Sequence, residues 1–519
     1  MKWIVPVENM READKYCIEK LQVPGIILME AAARSVVDEM VKTCRKDQKI
    51  LVICGTGNNG GDGFAIARML KIQGYSVRVF LAGSPWMLSG DAAINFDMLS
   101  AYQISVLTQD QASVLEGIIN QSDWVVDAMF GTGLDREVTG LNDQIIKYVN
   151  KVHARGNLKV MAVDIPSGIA GNSGQVMGCA IEADETVTFC RLKPGLVLFP
   201  GKDYAGKVTV ADIGIPDTVP SLKDATQFML DPEDVQELIP QRVSRSHKGL
   251  YGQLLSVAGS RSMPGAAVLS GKSAYKMGTG LVNAALPKEA AMVVLTCLPE
   301  AVTTPYTEGE WDWIEQKAKT ASAVLVGPGL SQEPYVEELL YKLFRAVPQH
   351  IPMVLDADAL NWIAKEKGLS ELIRARKGNT ILTPHLGEAS RLLKWSVQEI
   401  MQHPMEAAKA IRDQYDSVAV LKDAMTLVCA PDGKIFYNNT GNNGMSTAGS
   451  GDVLAGMIAG LCAQGFPVFK AAYAGVYLHG AAGDLAKEVY GSHGMTASNI
   501  AEQIHLDAIA KKALCNREE

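Results

Sequence analysis

The chain has 519 residues, of which 20% are charged and 47% are hydrophobic, and its formal net charge at pH 7 is -8. This length exceeds what one hydrophobic core usually organises, so two domains are expected. The acidic balance disfavours nucleic-acid binding through neutralised phosphates, and small anionic ligands would have to be held by loops and helix ends.

The nine cysteines are scattered without a Cys-x-x-Cys pair, and their odd number argues against a closed framework of disulfides. The first ten residues, MKWIVPVENM, lack a long apolar segment behind the positive charge. No unbroken apolar run of membrane-spanning length follows them. We therefore expect a cytoplasmic protein with no membrane partner.

A short apolar run at residues 50–54 is typical of a buried strand, and it leads directly into a glycine-rich loop at residues 55–63 and then a helix. This order can bind a phosphate or pyrophosphate at the helix N-terminus. The glycines lack the dinucleotide spacing, and no Gly-Lys-Ser/Thr follows them. The segment is either a structural turn or a ligand loop whose amides and carboxylate suit a hard cation or a polar substrate.

Two further predicted strands end on aspartates that precede glycine-containing loops. Residues 124–128 contain Asp127, and residues 160–165 contain Asp164, which is followed closely by Ser167. Because the carboxyl ends of parallel strands meet at one edge of a sheet, Asn59 and these three residues should gather there. The alternative is that each aspartate caps the helix after it.

Strands predicted at residues 187–189 and 208–213 complete this sheet, and prolines between residues 216 and 240 indicate a boundary with a short helix. We therefore predict a first domain at residues 1–216, a linker at 217–240 and a second domain at 241–519. The second domain repeats the alternation, with strands predicted at residues 254–258, 282–286, 323–326, 353–355, 380–382 and 418–421.

The stretch 438–456 reads NNTGNNGMSTAGSGDVLAG and joins a small polar loop to an apolar helix. Such a junction presents unpaired backbone N–H groups and the positive end of a helix dipole to an anion. Asp452, in the first turn, would repel a phosphate unless it acts there as a general base. Alternatively, the residues before it form a tight turn and Asp452 is an N-cap.

His385 and Lys422 each lie close to the end of a predicted strand. His385 either contacts a ligand or is a satisfied structural residue, and Lys422 either contacts phosphate or is a solvated lysine. The last helices, at residues 469–490, have the small faces of tight packing and are assigned no chemistry.

Five motifs of the second domain resemble the ribokinase-like fold in its carbohydrate-kinase-related branch: GPGL at 327–330, DADALN at 356–361, TPHLGE at 383–388, LKDAMT at 421–426 and GNNGMSTAGSGDVLAG at 441–456. The first domain resembles the YjeF N-terminal domain through GTGNNGGDGF at 55–64, VDAMFGTGL at 126–134 and VDIPSG at 163–168. In tandem, the two are similar to the bifunctional NAD(P)H-hydrate repair enzymes. The resemblance implies an α/β protein with a Rossmann-like three-layer α/β/α domain and a ribokinase-like α/β domain.

For the first domain, the resemblance implies epimerisation of the R and S forms of hydrated NADH and NADPH, which carry a hydroxyl on C6 of the nicotinamide ring. Asp164 would be the acid/base, and Asn59, Asp127 and Ser167 would bind a potassium ion. The contacts to the hydrate would be Asn58, Asn59, Gly60, Gly61, Asp62, Gly131, Thr132, Gly133, Leu134, Asp135, Arg136, Glu137 and Asp164.

For the second domain, the resemblance implies dehydration of the S form at the expense of ADP, with AMP and phosphate as products and magnesium as an expected companion of the nucleotide. The hydrate would be held by Gly280, Gly329, His385 and Asp452, and Asp452 would take the hydroxyl proton. The nucleotide would be held by Lys422, Asp423, Ala424, Met425, Thr426, Gly449, Ser450 and Gly451. The family usually has glycine at the position of Asp423. The aspartate puts a carboxylate near the phosphates or at a left-handed backbone position.

The partners implied are the two hydrates and ADP, and we also expect a homo-oligomer. One alternative is a small-molecule kinase of hydroxymethyl compounds fused to a ligand-binding domain, although such a kinase does not need the first domain. The other is a non-catalytic YjeF-type binding scaffold, which the intact set of Asn59, Asp127 and Asp164 and the acidic charge disfavour.

Overall fold

The computed structural model describes residues 1–515, which form two compact units. One unit spans Lys2–Ala225, and the other begins at Thr226 and also takes in Met1. The division falls within residues 217–240, the predicted linker, which contain a short helix, a strand and a 3-10 helix. No helix among the described residues is long and apolar enough to cross a membrane.

The first unit alternates strands and helices. Its strands are β1 (Lys2–Ile4), β2 (Lys49–Cys54), β3 (Ser76–Leu81), β4 (Val106–Leu107), β5 (Trp124–Ala128), β6 (Lys159–Val163), β7 (Glu185–Phe189) and β8 (Lys207–Ala211). Its helices are α1 (Val7–Glu19), α2 (Gly25–Met40), α3 (Asn58–Ile72), α4 (Gly90–Ala101), α5 (Leu115–Gln121), α6 (Gly140–His153), α7 (Gly201–Ala205) and α8 (Pro220–Lys223).

Seven of these strands form a parallel sheet in the order β4-β3-β2-β5-β6-β7-β8. The winding direction reverses between β2 and β5, and the carboxyl ends of strands at such a reversal form a ligand crevice. Apolar residues of α2 and α3 pack on one face of the sheet, and those of α5 and α6 pack on the other. The predicted three-layer arrangement is confirmed.

The glycine-rich segment after β2 differs from the prediction, because only residues 55–57 form a loop and α3 begins at Asn58. The glycines instead allow close packing of the first turns of α3. A Cβ atom on Gly63 would lie 2.6 Å from Sγ of Cys54, and one on Gly61 would lie 2.7 Å from the Met29 side chain. Because these residues are small, the N-terminal end of α3 packs closely between β2 and α2.

The second unit is built in the same way. Its strands are β9 (Gln227–Met229), β10 (Gln253–Val257), β11 (Leu281–Pro287), β12 (Val302–Tyr306), β13 (Ala323–Val326), β14 (Met353–Leu355), β15 (Thr380–Leu382), β16 (Val418–Leu421), β17 (Leu427–Cys429) and β18 (Ile435–Tyr437). Its helices are α9 (Pro264–Lys276), α10 (Lys288–Cys297), α11 (Trp313–Thr320), α12 (Tyr335–Ala346), α13 (Asp358–Lys365), α14 (Lys367–Arg374), α15 (Leu386–Leu393), α16 (Val397–Gln402), α17 (Pro404–Tyr415), α18 (Ser450–Ala463), α19 (Val468–Gly494), α20 (Ala497–Glu502) and α21 (Leu506–Cys515).

These strands lie in the order β9-β18-β17-β16-β15-β14-β13-β10-β11-β12. Strands β10 to β16 are mutually parallel, whereas β17 runs antiparallel to β16 and β18. The winding reverses between β10 and β13, where the N–H of Gly259 donates to the carbonyl of Pro328 at 2.8 Å. Helix α18, which is almost entirely buried, packs against α9 and brings its N-terminus to the carboxyl edge of this sheet.

Candidate active sites

A cavity of about 520 Å³ opens at the carboxyl edge of the first sheet. Its lining includes most of the predicted hydrate contacts: Asn58, Asn59, Asp62, Gly131, Thr132, Gly133, Leu134, Asp135, Arg136 and Asp164. Gly60 and Gly61 do not line it, because they pack into the interior against Gly55 and Met29, and Glu137 is exposed outside it. Helix α1 also contributes Arg11 and Asp14, which the sequence motifs did not indicate.

Asp164 follows β6 and has a left-handed backbone, with φ at +67°. Its Oδ1 accepts hydrogen bonds from Nζ of Lys193 at 2.6 Å, Oγ1 of Thr188 at 3.0 Å and the N–H of Phe189 at 3.2 Å. A non-glycine residue persists in this strained conformation when its surroundings fix it, as these contacts do. Lys193 is 2% exposed and lies 29 residues away in the chain, so no local motif predicted it.

Two of the other carboxyls that line this cavity, those of Asp62 and Asp14, are disfavoured as charged groups. Burial raises the pKa of Asp62 well above its usual value, and the charges of Asp164 and Asp14 add to the effect. Burial also raises the pKa of Asp14 to about 6, against a lowering by Lys193. The cavity therefore combines an ion-paired carboxylate with carboxyls that hold a proton more readily than usual.

Asp127 and Ser167 meet behind this cavity, as predicted for strand ends at one sheet edge. Ser167 donates from Oγ to Oδ1 of Asp127 at 2.6 Å and from its N–H to Oδ2 at 2.7 Å. The N–H of Phe130 donates to Ser167 Oγ at 2.8 Å, and the next residue, Gly131, lies against the Asn59 side chain. The Asn59 amide nitrogen is buried without a partner among the described residues. Asn59, Asp127 and Ser167 thus carry amide, carboxylate and hydroxyl oxygens close to the turn at residues 130–131.

In the second unit, the stretch 438–456 forms the predicted junction of a loop and a buried helix. Gly449 has φ at +86°, α18 begins at Ser450, and Asp452 lies in its first turn. Burial raises the pKa of Asp452 to about 7; nearby Asp356 also raises it, whereas Lys422 lowers it. A carboxyl that titrates near neutral pH beside free helix N–H groups has the properties of a general base at an anion site.

Lys422 is the cation of this second site. Its Nζ lies 2.8 Å from Oδ1 of Asp356, which also accepts a hydrogen bond from Thr383 Oγ1 at 2.7 Å. Burial lowers the pKa of Lys422, but Asp356 and Glu388 outweigh it and leave that pKa raised. A Cβ atom on Gly451 would lie 3.3 Å from the Lys422 ammonium. The structure therefore brings the predicted Lys422 and Gly451 together beside Asp452.

The rest of the predicted nucleotide segment connects to the same loop. Thr426 donates from Oγ1 to the carbonyl of Asp423 at 3.1 Å, and the carbonyl of Thr426 accepts a hydrogen bond from the N–H of Asn438 at 3.0 Å. Asp423 is exposed and lacks a left-handed backbone, so this position does not require glycine. Ala424 is also exposed, whereas the Met425 side chain is buried. Contacts from residues 423–425 to a nucleotide would come mainly from the backbone.

His385 has a structural role, which was one of its two predicted alternatives. It is the N-cap of α15, where its Nδ1 accepts a hydrogen bond from the N–H of Gly387 at 3.0 Å. Its own N–H donates to Glu388 at 2.9 Å, which completes a capping box. Burial and then Lys422 lower the pKa of His385, so the exposed ring is neutral near pH 7.

The two predicted glycine contacts of the second unit lie in different places. Gly329 is in the turn after β13, with φ at +59°, at the carboxyl edge that carries Asp452. Gly280 directly precedes β11, so it lies at the opposite, amino edge of the sheet, where its N–H donates to the carbonyl of Tyr251 at 3.0 Å. Within one chain, the structure therefore does not bring Gly280 to the other predicted residues.

Two family profiles match the chain. The profile for NAD(P)H-hydrate dehydratase matches residues 254–506, and the profile for the YjeF-related protein N-terminus matches residues 25–195. A bifunctional NAD(P)H-hydrate repair enzyme of Moorella thermoacetica is 36% identical to the chain over 96% of it and 95% of the relative. One from Thermofilum pendens is 37% identical over 95% of the chain and 94% of the relative.

The chain belongs to the bifunctional NAD(P)H-hydrate repair enzymes. The family predicted from the motifs is therefore confirmed, together with its pair of activities, an epimerase and a dehydratase. A solved ribokinase-like superfamily protein of Enterococcus faecalis, 26% identical, covers 56% of the chain and 96% of its own length with a TM-score of 0.50. The predicted ribokinase-like fold of the second unit is confirmed.

Helix α19 of this repair enzyme contributes more than the packing that its sequence predicted. Asp484 accepts hydrogen bonds from the N–H of Gly441 at 2.9 Å and Nδ2 of Asn442 at 2.8 Å. Thr440 donates from Oγ1 to the carbonyl of Tyr477 at 2.8 Å. His479, whose pKa burial lowers to about 4, lies 3.5 Å from Ser450 Oγ. The helix therefore fixes the loop that precedes α18, which the small residues of its sequence did not reveal.

Proposed function

We propose that the second unit removes water from the S form of hydrated NADH or NADPH at the expense of ADP, with Asp452 as the base. The observation that carries this proposal is the position of Asp452 in the first turn of α18, beside Gly451 and the ammonium of Lys422. A phosphoryl group bound at Gly449–Gly451 would meet the helix N-terminus and Lys422 together, and these would stabilise the transferring charge.

The proposed reaction has two steps. Asp452 takes the proton of the C6 hydroxyl as that oxygen attacks the terminal phosphorus of ADP, and AMP leaves. The C6–O bond of the phosphorylated hydrate then breaks, and the departing phosphate takes the proton that the adjacent ring carbon loses. Inorganic phosphate leaves, and the reduced nicotinamide is restored. Neutral His385 and the Gly329 turn are the proposed contacts to the hydrate at this edge.

We propose that the first unit interconverts the R and S forms in its cavity, with Asp164 as the acid/base. The support is the buried ammonium of Lys193, which holds Asp164 by a 2.6 Å contact at the cavity wall. Epimerisation supplies the S form to the dehydratase site, so the two activities together repair both hydrates.

The polar group behind the cavity fits the predicted potassium ion. Asn59, Asp127 and Ser167 carry oxygens of the kind that hard cations prefer. The Asn59 amide nitrogen has no partner among the described residues, and rotation of this amide would place its oxygen there as a ligand to the ion. A bound potassium ion would supply a fixed positive charge near the hydrate. Magnesium would enter with the nucleotide, because phosphate oxygens are its usual ligands at nucleotide sites.

The homo-oligomer and the cytoplasmic location also remain proposals. Helix α10 exposes Met292, Val293 and Leu295, with 70% of Met292 accessible, and such side chains support a contact with a second copy. All nine cysteines are free, which suits a reducing compartment. Light scattering of the purified protein would measure the number of subunits.

One assay tests the proposed dehydration directly. The protein is incubated with hydrated NADH and ADP, and the return of reduced-nicotinamide absorbance is followed with time. Recovery that requires the nucleotide supports the dehydratase, and no recovery with either ADP or ATP would eliminate it. Nucleotide-dependent phosphorylation of a hydroxymethyl compound, without recovery of the nicotinamide, would favour the kinase alternative.

A further inference from the structure

Five carboxyl groups line the cavity of the first unit; Asp62 is the buried one among them, whereas Asp91 is partly exposed and Asp135 is exposed. Asp14, Asp62 and Asp164 line the cavity, and Lys193 lies behind Asp164. The three donors of the Lys193 ammonium have three acceptors: Asp164 Oδ1 at 2.6 Å, Phe189 O at 2.8 Å and Thr188 Oγ1 at 2.9 Å. Lys193 therefore neutralises Asp164 and has no hydrogen bond left for another carboxyl.

Asp62 has the opposite surroundings. It lies in the first turns of α3, is 9% exposed, and within residues 1–515 no hydrogen bond to its carboxyl group is found. Its electrostatic neighbours, Asp164 and Asp14, are both acidic. A buried carboxyl without a cation or a donor is stable only when it carries a proton.

Asp14 is less suited to hold a proton than Asp62. It is partly exposed on α1, and Lys193 favours its charged form. Asp62 and Asp164 therefore differ most in their surroundings, and two carboxyls whose surroundings differ in this way commonly divide the roles of acid and base.

We propose that Asp62 is a second catalytic residue of the epimerase, the proton donor to the C6 hydroxyl, while Asp164 is the base. The inference rests on the proposed epimerase function of this cavity. Asp62 donates its proton to the C6 hydroxyl, the C6–O bond breaks, and its electron pair leaves with water. The lone pair of the ring nitrogen forms a double bond to C6 at the same time.

Water then adds to C6 from the opposite face of the ring. Asp164 accepts a proton from this water, and the electrons of the nitrogen–carbon double bond return to the ring nitrogen. The cycle ends with Asp62 charged and Asp164 neutral, which is the state that converts the S form back to the R form. Proton exchange with solvent resets the pair.

The first experiment separates catalysis from binding. In Asp62→Asn, which keeps a hydrogen-bonding group of similar size but no transferable proton, we expect the epimerisation rate to fall by about 100-fold or more. The Kd for the R hydrate should change less than about threefold, and exposed Asp97→Asn on α4 should match the wild type. A near-normal rate in Asp62→Asn, or a loss of affinity with kcat retained, would overturn the inference.

The second experiment needs no variant and so does not depend on the folding of one. Wild-type protein epimerises the R hydrate in water enriched in oxygen-18, and the S product is analysed by mass spectrometry at times shorter than spontaneous exchange. Breakage of the C6–O bond predicts one labelled oxygen in each inverted molecule. Inversion with the original oxygen retained would overturn the role of Asp62 alone, whereas no inversion at all would overturn the epimerase function itself.

Discussion

The ammonium of Lys422 lies 2.8 Å from Oδ1 of Asp356, a carboxylate that is 2% exposed. Lys422 thus lies between a buried negative charge and the turn at the start of α18, where we propose that phosphate binds. Before a nucleotide binds, Asp356 balances the charge of Lys422, and a phosphate would have to share the ammonium with it. The strength of nucleotide binding and the titration of Asp452 both depend on this pair.

The variant Gly451→Ala tests the contact between the turn and Lys422. The new Cβ atom would lie 3.3 Å from the ammonium, so Lys422 must move away from the turn. We expect the Kd for ADP to rise about tenfold or more, which corresponds to about 1.4 kcal/mol of lost binding. Isothermal titration would measure it. Gly265→Ala, where the added atom meets nothing within 4 Å, is the matched control, and equal affinities in the two variants would contradict the expectation.

The variant Asp452→Asn should abolish dehydration and leave epimerisation intact. Loss of a general base typically lowers a rate by a factor of about 100 to 10,000, and the first unit has its own cavity and carboxyls. The recovery of nicotinamide absorbance measures dehydration, and the chromatographic ratio of R to S hydrates measures epimerisation. Asp432→Asn, an exposed site paired with Lys434, is the control. Dehydration at more than one tenth of the normal rate would show that Asp452 is not the base.

The pH dependence of dehydration should follow Asp452, whose pKa burial raises to about 7. A base must be ionised, so kcat/KM for the nucleotide should fall about tenfold per pH unit below pH 7 and level off above it. In Asp356→Asn a charge that raises this pKa is removed and Lys422 loses its partner. The inflection should therefore move to lower pH in that variant. An inflection that stays or moves upward would contradict the assignment.

The variant Lys193→Met should destabilise the first unit, because it leaves Asp164 without its buried cation. Removal of one partner from a buried ion pair costs roughly 3–5 kcal/mol in the free energy of unfolding. Urea unfolding would measure the change, and the double variant with Asp164→Asn should recover part of it. Lys147→Met breaks an exposed pair with Asp143 and should change stability little. Equal effects of the two single variants would be inconsistent with the structure.

Sequence patterns predicted the central parallel strands, the two domains and the residues that follow strand ends, because buried apolar runs and their polar ends are local signals. The outer strands β1, β4, β9, β12, β17 and β18 were not predicted. Asp127, Ser167 and Asp164 were found at one edge for that reason. The partners of these residues were not predicted, since Lys193 lies 29 residues from Asp164 and Asp356 lies 66 residues from Lys422. Such contacts depend on strand order, which periodicity does not determine.

The glycines limited the sequence interpretation in two places: the start of α3 was predicted wrongly as a loop, and the contact of Gly280 with the hydrate stays a prediction. A glycine-rich segment usually predicts a loop. At the start of α3, however, the glycines belong to a buried helix, where they allow close packing. Gly280 was placed with the hydrate by resemblance, yet its position before β11 puts it at the amino edge. A cluster of glycines indicates that the backbone closely approaches another group. Only the order of the strands and helices shows whether that group is a ligand or another part of the protein.

Two glycines of α19, Gly480 and Gly483, restrict which substitutions the loop before α18 can accept. Thr440 occupies the space that a side chain on Gly480 would need, and the Met445 thioether lies where a side chain on Gly483 would begin. A larger residue at Gly483 would need a smaller one at Met445, whereas the backbone of Thr440, 2.7 Å from a Cβ atom on Gly480, allows no such exchange there. Single substitutions are therefore poor routes to a changed loop here, and a library that varies Met445 together with Gly483 would reach sequences that stepwise selection would discard.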